Sequence, residues 1–291
     1  LGAVKVGASG SFVSGDGLVM TNHHVAVGCI QQLTSGTEDV MAKGFLARSR
    51  EEERPCPEAE VNQLVAIEDV TARIAKATHG VADAGFAKAR SAEVARIEKA
   101  CVGEDAATKR CEVVNLYRGG RWHLYTYHTW RDVRLVFAPE VAIANFGGDP
   151  DNYRFPRYDL DVAFLRAWED GKPAKTPDHF RLATKAPAEG EVLFVAGNPA
   201  RTERLLTVAQ LETLRHVELP WKNVRLSELR GTILEFQRRG PEFERMSRRE
   251  QYRVENYLKR FVGQFAALDE TLLARKRVEE KALRAHPKAN K

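Results

Sequence analysis

Two adjacent histidines, His23 and His24, close the stretch Gly10-Ser11-Phe12-Val13-Ser14-Gly15-Asp16-Gly17-Leu18-Val19-Met20-Thr21-Asn22. Ser14-Gly15-Asp16-Gly17 has the composition of a turn, and the apolar residues on either side alternate as in strands, so the spacing predicts a β-hairpin. A histidine directly after such a strand has a fixed backbone. Its imidazole can lean into a cleft, take a serine proton at one nitrogen and be oriented by a carboxylate at the other. His24 is the candidate base and His23 its neighbour. Carboxylates follow later in chain order, where Asp149, Asp151, Asp159 and Asp161 fall within one short stretch, and Asp161 leads straight into an apolar strand signal. These four aspartates also suggest calcium, but the register from Asp149 puts Arg154 where an EF-hand loop needs glycine and Leu160 where it needs glutamate. No nucleophile accompanies the pair. None of the eight serines lies in a Gly-[Asp/Asn]-Ser-Gly context after Asp161. Ser9, in Gly7-Ala8-Ser9-Gly10, is a superficial mimic that precedes His24, and Ser227 and Ser247, in a charged helical stretch, are expected to face solvent.

The elements that must carry these residues begin with that hairpin. From about Glu68 to Ala100 an Ala-rich pattern of period 3.6 predicts two short helices joined near Gly80, inserted between strands. Strand signals resume at 132–137, 162–167 and 192–196, the last apolar throughout. Beyond Leu219-Pro220 the chain reads as helical. Leu226, Leu229, Ile233 and Phe236 form one apolar stripe, Gly240-Pro241 interrupts it, and Val254, Tyr257, Leu258, Phe261, Phe265, Leu268 and Leu272 form a second, which predicts two long antiparallel helices. The reading is a β-rich region over 1–218 with a helical insertion at about 68–101, then an α-helical segment over 219–291. Cys101 and Cys111 bracket a short polar loop and are expected to bridge, whereas Cys29 and Cys56 are each expected to be buried free thiols.

Composition limits the function classes. The 291 residues are 43% hydrophobic and 29% charged, with no apolar run long enough to span a bilayer, which excludes collagenous and wholly disordered chains and predicts no membrane partner. The net charge of +5 is concentrated in residues 221–291, where 18 Lys and Arg stand against 10 Asp and Glu. Glutamates interleave with that basic charge at helical spacing and no recognition motif is present, so a solvated helical surface is expected and nucleic acid is not a predicted partner. The chain starts at Leu1 with no initiator Met and is read as a piece of a longer protein.

The stretches Ser-Phe-Val-Ser-x-Asp-Gly-Leu-Val-x-Thr-Asn-His-His, Phe-Gly-Gly-Asp-x-Asp-Asn-x-x-x-Pro-Arg-x-x-x-Asp and Val-Ala-Gly-Asn-Pro-Ala-Arg-Thr (195–202) resemble the bacterial serine dipeptidyl-peptidases of the dipeptidyl-peptidase seven and eleven family. The resemblance runs from about Val6 to Leu273. It implies a trypsin-like β-barrel with a helical insertion, capped by an α-helical domain, in an enzyme that removes dipeptides from free N-termini. It assigns His24 and Asp161 to the triad, and Asn152, Tyr153 and Asn256 to the substrate ammonium. It implies oligopeptide substrates as partners, no cofactor, no metal, a periplasmic or secreted location and compatibility with a homodimer. The nucleophilic serine is expected on a second barrel outside these 291 residues, which leaves this chain alone inactive. Tyr153 stands where the family commonly has Trp, and Ala8 and Val25 where it often has a bridged cysteine pair. Two other readings share some of these features. A trypsin-like endopeptidase has the same histidine frame, and a non-catalytic homologue would only bind peptide.

Overall fold

The computed structural model describes the chain apart from residues 36, 145–146, 148–150, 199–202, 204 and 287–291 and the side chain of Arg118. The described residues group into two units, Leu1–Glu140 with Val162–Pro199 and Val141–Asp161 with Ala200–Lys291. Asp149, one of the candidate carboxylates, and the last four residues of the 195–202 motif lie outside the described residues.

The first unit is built on one antiparallel sheet. Its elements in chain order are β1 (Ala3–Val6), β2 (Ala8–Phe12), β3 (Leu18–Thr21), α1 (His23–Leu33), α2 (Val40–Lys43), β4 (Phe45–Leu46), β5 (Arg54–Pro55) and β6 (Val61–Asp69). There follow α3 (Thr71–Thr78), α4 (Asp83–Val102), β7 (Lys109–Leu116), β8 (Arg121–Trp130), β9 (Asp132–Ala138), β10 (Ala163–Glu169) and β11 (Lys172–Pro173). The strands run in the order β4-β9-β10-β3-β2-β1-β6-β8-β7, with β5 on β9 and β11 on β10. Alternation decides which face is inside: Val4, Val6, Phe12, Val19, Val61, Val133, Leu135 and Leu165 are buried. Phe12 meets Trp130 edge to face at 5.3 Å. Each such fully buried side chain contributes roughly 1.5–3 kcal/mol of transfer free energy.

The hairpin expected before the histidines is β2–β3, with Ser11 opposite Met20 and Phe12 opposite Val19. Its turn demands glycine at position 17. Gly17 has φ +79°, and a Cβ there would stand 2.5 Å from the Ala167 carbonyl oxygen of β10.

The sheet is β-rich as expected but not a closed barrel: its pairing path ends in β4 on one side and β7 on the other. The β7–β8 side is occupied by the helical insertion. Ile74 of α3 and Ile97 of α4 pack on Val70 and Leu124, with Val113 and Trp122 at the margin. The insertion is one helix of 8 residues and one of 20, not two short ones. A Cys101–Cys111 disulfide, with Cα atoms 6.1 Å apart, ties the end of α4 to β7.

Two expectations fail in this unit. Cys29 and Cys56 are not free thiols: they form a second disulfide, which joins α1 to the residue just after β5. The run 192–196 is not a strand, and Phe194 is 95% exposed. An all-apolar run favours an extended chain, but a strand needs a partner for its ladder, and none of the described residues supplies one.

The second unit is mostly helical: α5 (Val208–Thr213), a π-helical turn at Leu214–Glu218, α6 (Leu219–Gln237), α7 (Pro241–Ala267) and α8 (Glu270–Ala285). Three helices thus follow residue 218 where two were expected, because Asp269 caps a new helix through the Leu272 amide. Helices α6 and α7 are antiparallel, with Phe236 against Phe243 at 5.0 Å and Arg230 paired to Glu255 at 2.8 Å. Leu211, Leu219, Leu268 and Leu273 form a small core. Pairs such as Arg245–Glu242 and Arg248–Glu244 absorb much of the basic charge. Ser227 is exposed, but Ser247 is half-buried and donates to the Phe243 carbonyl at 2.8 Å, a helix back-bond that the charged surroundings did not signal.

Replacing Cys101 and Cys111 together by serine should cost about 2–3 kcal/mol, the closure entropy of a short loop. Urea denaturation of the oxidised wild type and the double variant measures it.

Candidate functional site

His23 and His24 are the first two residues of α1, directly beyond β3. The Thr21 hydroxyl donates to the Ser9 carbonyl at 2.9 Å and pins the end of β3 to β2. His23 is 1% exposed and His24 half-exposed, so of the two only His24 has a side chain that can meet a substrate. On the other side of β3, Ala163 of β10 pairs with Thr21. Asp161 precedes β10 by two residues, and His24 follows Thr21 by three. Antiparallel pairing therefore sets the end of β3 beside the start of β10. Ser9 is otherwise engaged: its hydroxyl accepts the Asn198 backbone N–H at 2.6 Å, a structural bond across the sheet margin.

Behind the hairpin lies a buried ionic cluster that the sequence did not signal. Glu53 is 5% exposed and Arg166 is 4% exposed. Glu53 accepts from Arg166 Nε at 2.8 Å, from Trp168 Nε1 at 2.8 Å and from Arg50 at 3.0 Å. Arg166 also donates to the Asp16 carbonyl at 2.7 Å and lies 3.0 Å from the Asp16 carboxylate, which pairs with Arg50 as well. Burial pushes the Asp16 carboxyl up, but the Ser14 hydroxyl and the Arg166 and Arg50 guanidinium groups outweigh it and hold the group below its ordinary value of 3.8.

In the second unit the structure brings two of the predicted residues together. Asn152 Nδ2 donates to Asn256 Oδ1 of α7 at 3.1 Å and to the Gly147 carbonyl at 2.7 Å. Arg157 donates to Asn152 Oδ1 at 2.9 Å. A guanidinium has only donors, so the atom facing it must be the amide oxygen; this orients Asn152, and Asn152 in turn orients Asn256. Both amide oxygens keep a second lone pair. Arg157 is itself held by Asp159 at 3.2 Å and lies 4.0 Å from Asp151. The loop can lie this close to α7 because position 147 is glycine: a Cβ would stand 2.8 Å from the Tyr252 carbonyl oxygen, and φ is +134°. Tyr153, next to Asn152, has φ 62° and is 58% exposed, with its ring available to a ligand. Among the described residues no group of three or more His, Cys, Asp or Glu side chains could hold a metal ion.

The family model described as Peptidase S46 matches residues 2–291. The chain belongs to the peptidase S46 family. This S46 chain is 30% identical over 300 residues to the Asp/Glu-specific dipeptidyl-peptidase of Capnocytophaga gingivalis, covering 98% of itself and 42% of that protein. It is 29% identical over 303 residues to dipeptidyl-peptidase 7 of Phocaeicola vulgatus, covering 97% and 42%. The crystal structure of Porphyromonas endodontalis DPP11 in complex with the dipeptide Arg-Glu superposes with a TM-score of 0.81 at 26% identity, over 98% of this chain and 43% of that one. The S46 chain thus spans less than half the length of the relatives it matches. The resemblance drawn from the hairpin and the Gly-Gly-Asp stretch is to the right family.

Two members of these sites were not foreseen. Arg157 sits between acidic residues at positions 151 and 159, and that spacing was the available signal. Glu53 was hidden in the run Glu51-Glu52-Glu53, whose composition suggests a solvated surface.

The Asp16 carboxylate is favoured in the folded state, so its contribution is present above pH 4 and lost as pH falls through its lowered value. As pH falls below about 3.8, the stability of the wild type should therefore fall more steeply than that of Asp16→Asn. Denaturation midpoints across that range in both proteins test the sign.

Proposed function

We propose that this chain is part of a serine dipeptidyl-peptidase that releases dipeptides from the free N-termini of oligopeptides. His24 takes the nucleophile's proton as its oxygen attacks the scissile carbonyl carbon, and returns that proton to the leaving amine when the C–N bond breaks; Asp161 orients the imidazole. Water then hydrolyses the acyl-enzyme by the same proton path in reverse. The serine and the oxyanion hole are assigned to the part of the relatives' length that this chain does not match, and the open sheet to the first of two trypsin-like barrels.

One observation carries the reading: the Asn152–Asn256 pair, whose amide orientations are set by Arg157. A peptide ammonium has three donors and needs acceptors that do not neutralise it. The remaining lone pair of the half-buried Asn256 Oδ1 meets that need, Asn152, only 1% exposed, holds that amide in its orientation from behind, and the exposed Tyr153 ring adds a face for the cation. Two residues of extended substrate span only ~7 Å, so an ammonium site near the nucleophile makes an exopeptidase of an endopeptidase. The two disulfides support an oxidising compartment, periplasmic or extracellular.

In the full-length enzyme, Asn152→Ala or Asn256→Ala should lower kcat/KM for free-amine dipeptidyl-coumarin substrates by about 1.5–3 kcal/mol. Acetylating the substrate should harm the wild type far more than either variant. Equal cleavage of acetylated and free substrates by the wild type would remove the amine site and leave an endopeptidase. The 291-residue chain alone should neither turn over these substrates nor label with a fluorophosphonate, and labelling abolished only by Ser9→Ala would relocate the nucleophile.

A further inference from the structure

The first turn of helix α1 carries the residue on which the proposed chemistry depends. One short segment reaches both the turn before β3 and the body of α1. At the entry, Glu53 and Arg50 grip the β2–β3 turn through Arg166 and Asp16. At the exit, Cys56 is bonded to Cys29. Cys29 lies five residues beyond His24, about 8 Å along the helix axis. The same segment is anchored to the sheet. Arg54 pairs with Leu135 and Pro55 with Arg134 of β9, and the Cys56 amide donates to the Val133 carbonyl at 2.8 Å. Cys29 shares its buried helix face with Ala26 and Ile30, so the sulfur bond fixes both the rotation of α1 and its position along its axis. Both sulfur residues are buried, Cys56 almost completely.

We propose that residues 50–56 form a clasp that sets the pose of His24, with Glu53 and the Cys29–Cys56 bond as positioning groups for the catalytic base. This rests on the reading of His24 as that base. The clasp touches neither substrate nor reacting atoms; it acts by holding the turn that opens β3 and the middle of α1.

The test uses the full-length enzyme and three variants, Glu53→Gln, Cys29→Ser with Cys56→Ser, and a control, Cys101→Ser with Cys111→Ser, whose bond lies in the helical insertion. All are assayed well below their melting temperatures. A misplaced base slows the chemical step without weakening substrate binding, so the two clasp variants should lose about tenfold or more in kcat with KM changed less than about twofold. The control should lose melting temperature but keep both constants. Wild-type kcat in folded clasp variants, parallel changes in kcat and KM, or an equal kcat loss in the control would reduce the clasp to a stabilising feature. If a clasp variant does not fold, Arg50→Met, which removes a half-exposed cation and leaves the buried Glu53–Arg166 pair, takes its place with a smaller loss of the same kind. Fluorophosphonate labelling rates separate this from the dipeptidyl reading. A wild type that labels but does not release dipeptides overturns that reading alone, and the labelling rates of the variants then decide the clasp. A wild type that neither cleaves nor labels overturns both.

Discussion

The antiparallel pairing of β3 with β10 is the constraint on which the His-bearing end of the molecule depends. Thr21 stands opposite Ala163 and Leu18 opposite Arg166. A slip of one residue would turn Val19 and Leu165 out of the core and bring their neighbours in, at a cost of several kcal/mol from buried area alone. The register is secured at both ends. Gly17 lies against the Ala167 carbonyl, where no side chain fits, and accepts the Ala167 N–H at 3.0 Å, while Thr21 stands opposite Ala163 at the other end. The positions where β3 becomes α1 and where the chain enters β10 are consequences of that register.

Local patterns were legible in the sequence because they are produced by neighbours. Turn composition between alternating apolar residues marked β2–β3, and period-3.6 spacing marked α3, α4, α6 and α7. What was not legible depends on residues far apart in the chain. Nothing in the spacing of Cys29 and Cys56 says that they meet, since cysteine connectivity is set by the fold. Glu51, Glu52 and Glu53 look alike in the sequence, and only the third finds a buried arginine, 113 residues away. The run 192–196 shows the opposite failure: its strand propensity was legible, but a ladder requires a second strand.

For the candidate amine site, the residue types at 152 and 256 were legible, and their mutual orientation was not. An isolated asparagine can present its oxygen or its nitrogen to a ligand at almost equal cost. Arg157 removes that freedom, and it is kept in place by Asp159. Charge at the surface of α7 is mostly a matter of local pairs, and such pairs contribute little to stability individually.

The hydrogen bonds from Arg157 through Asn152 to Asn256 all point the same way, each group donating to the next. Such a chain is vectorial: its starting end supplies only protons, and it meets Asn256 at the amide oxygen. A lysine or arginine at position 256 would set donor against donor and break the sequence at its last link, whereas any side chain ending in an oxygen of similar reach would keep its sense. Which atom of the Asn256 amide faces the loop is therefore decided by a guanidinium that need never touch it.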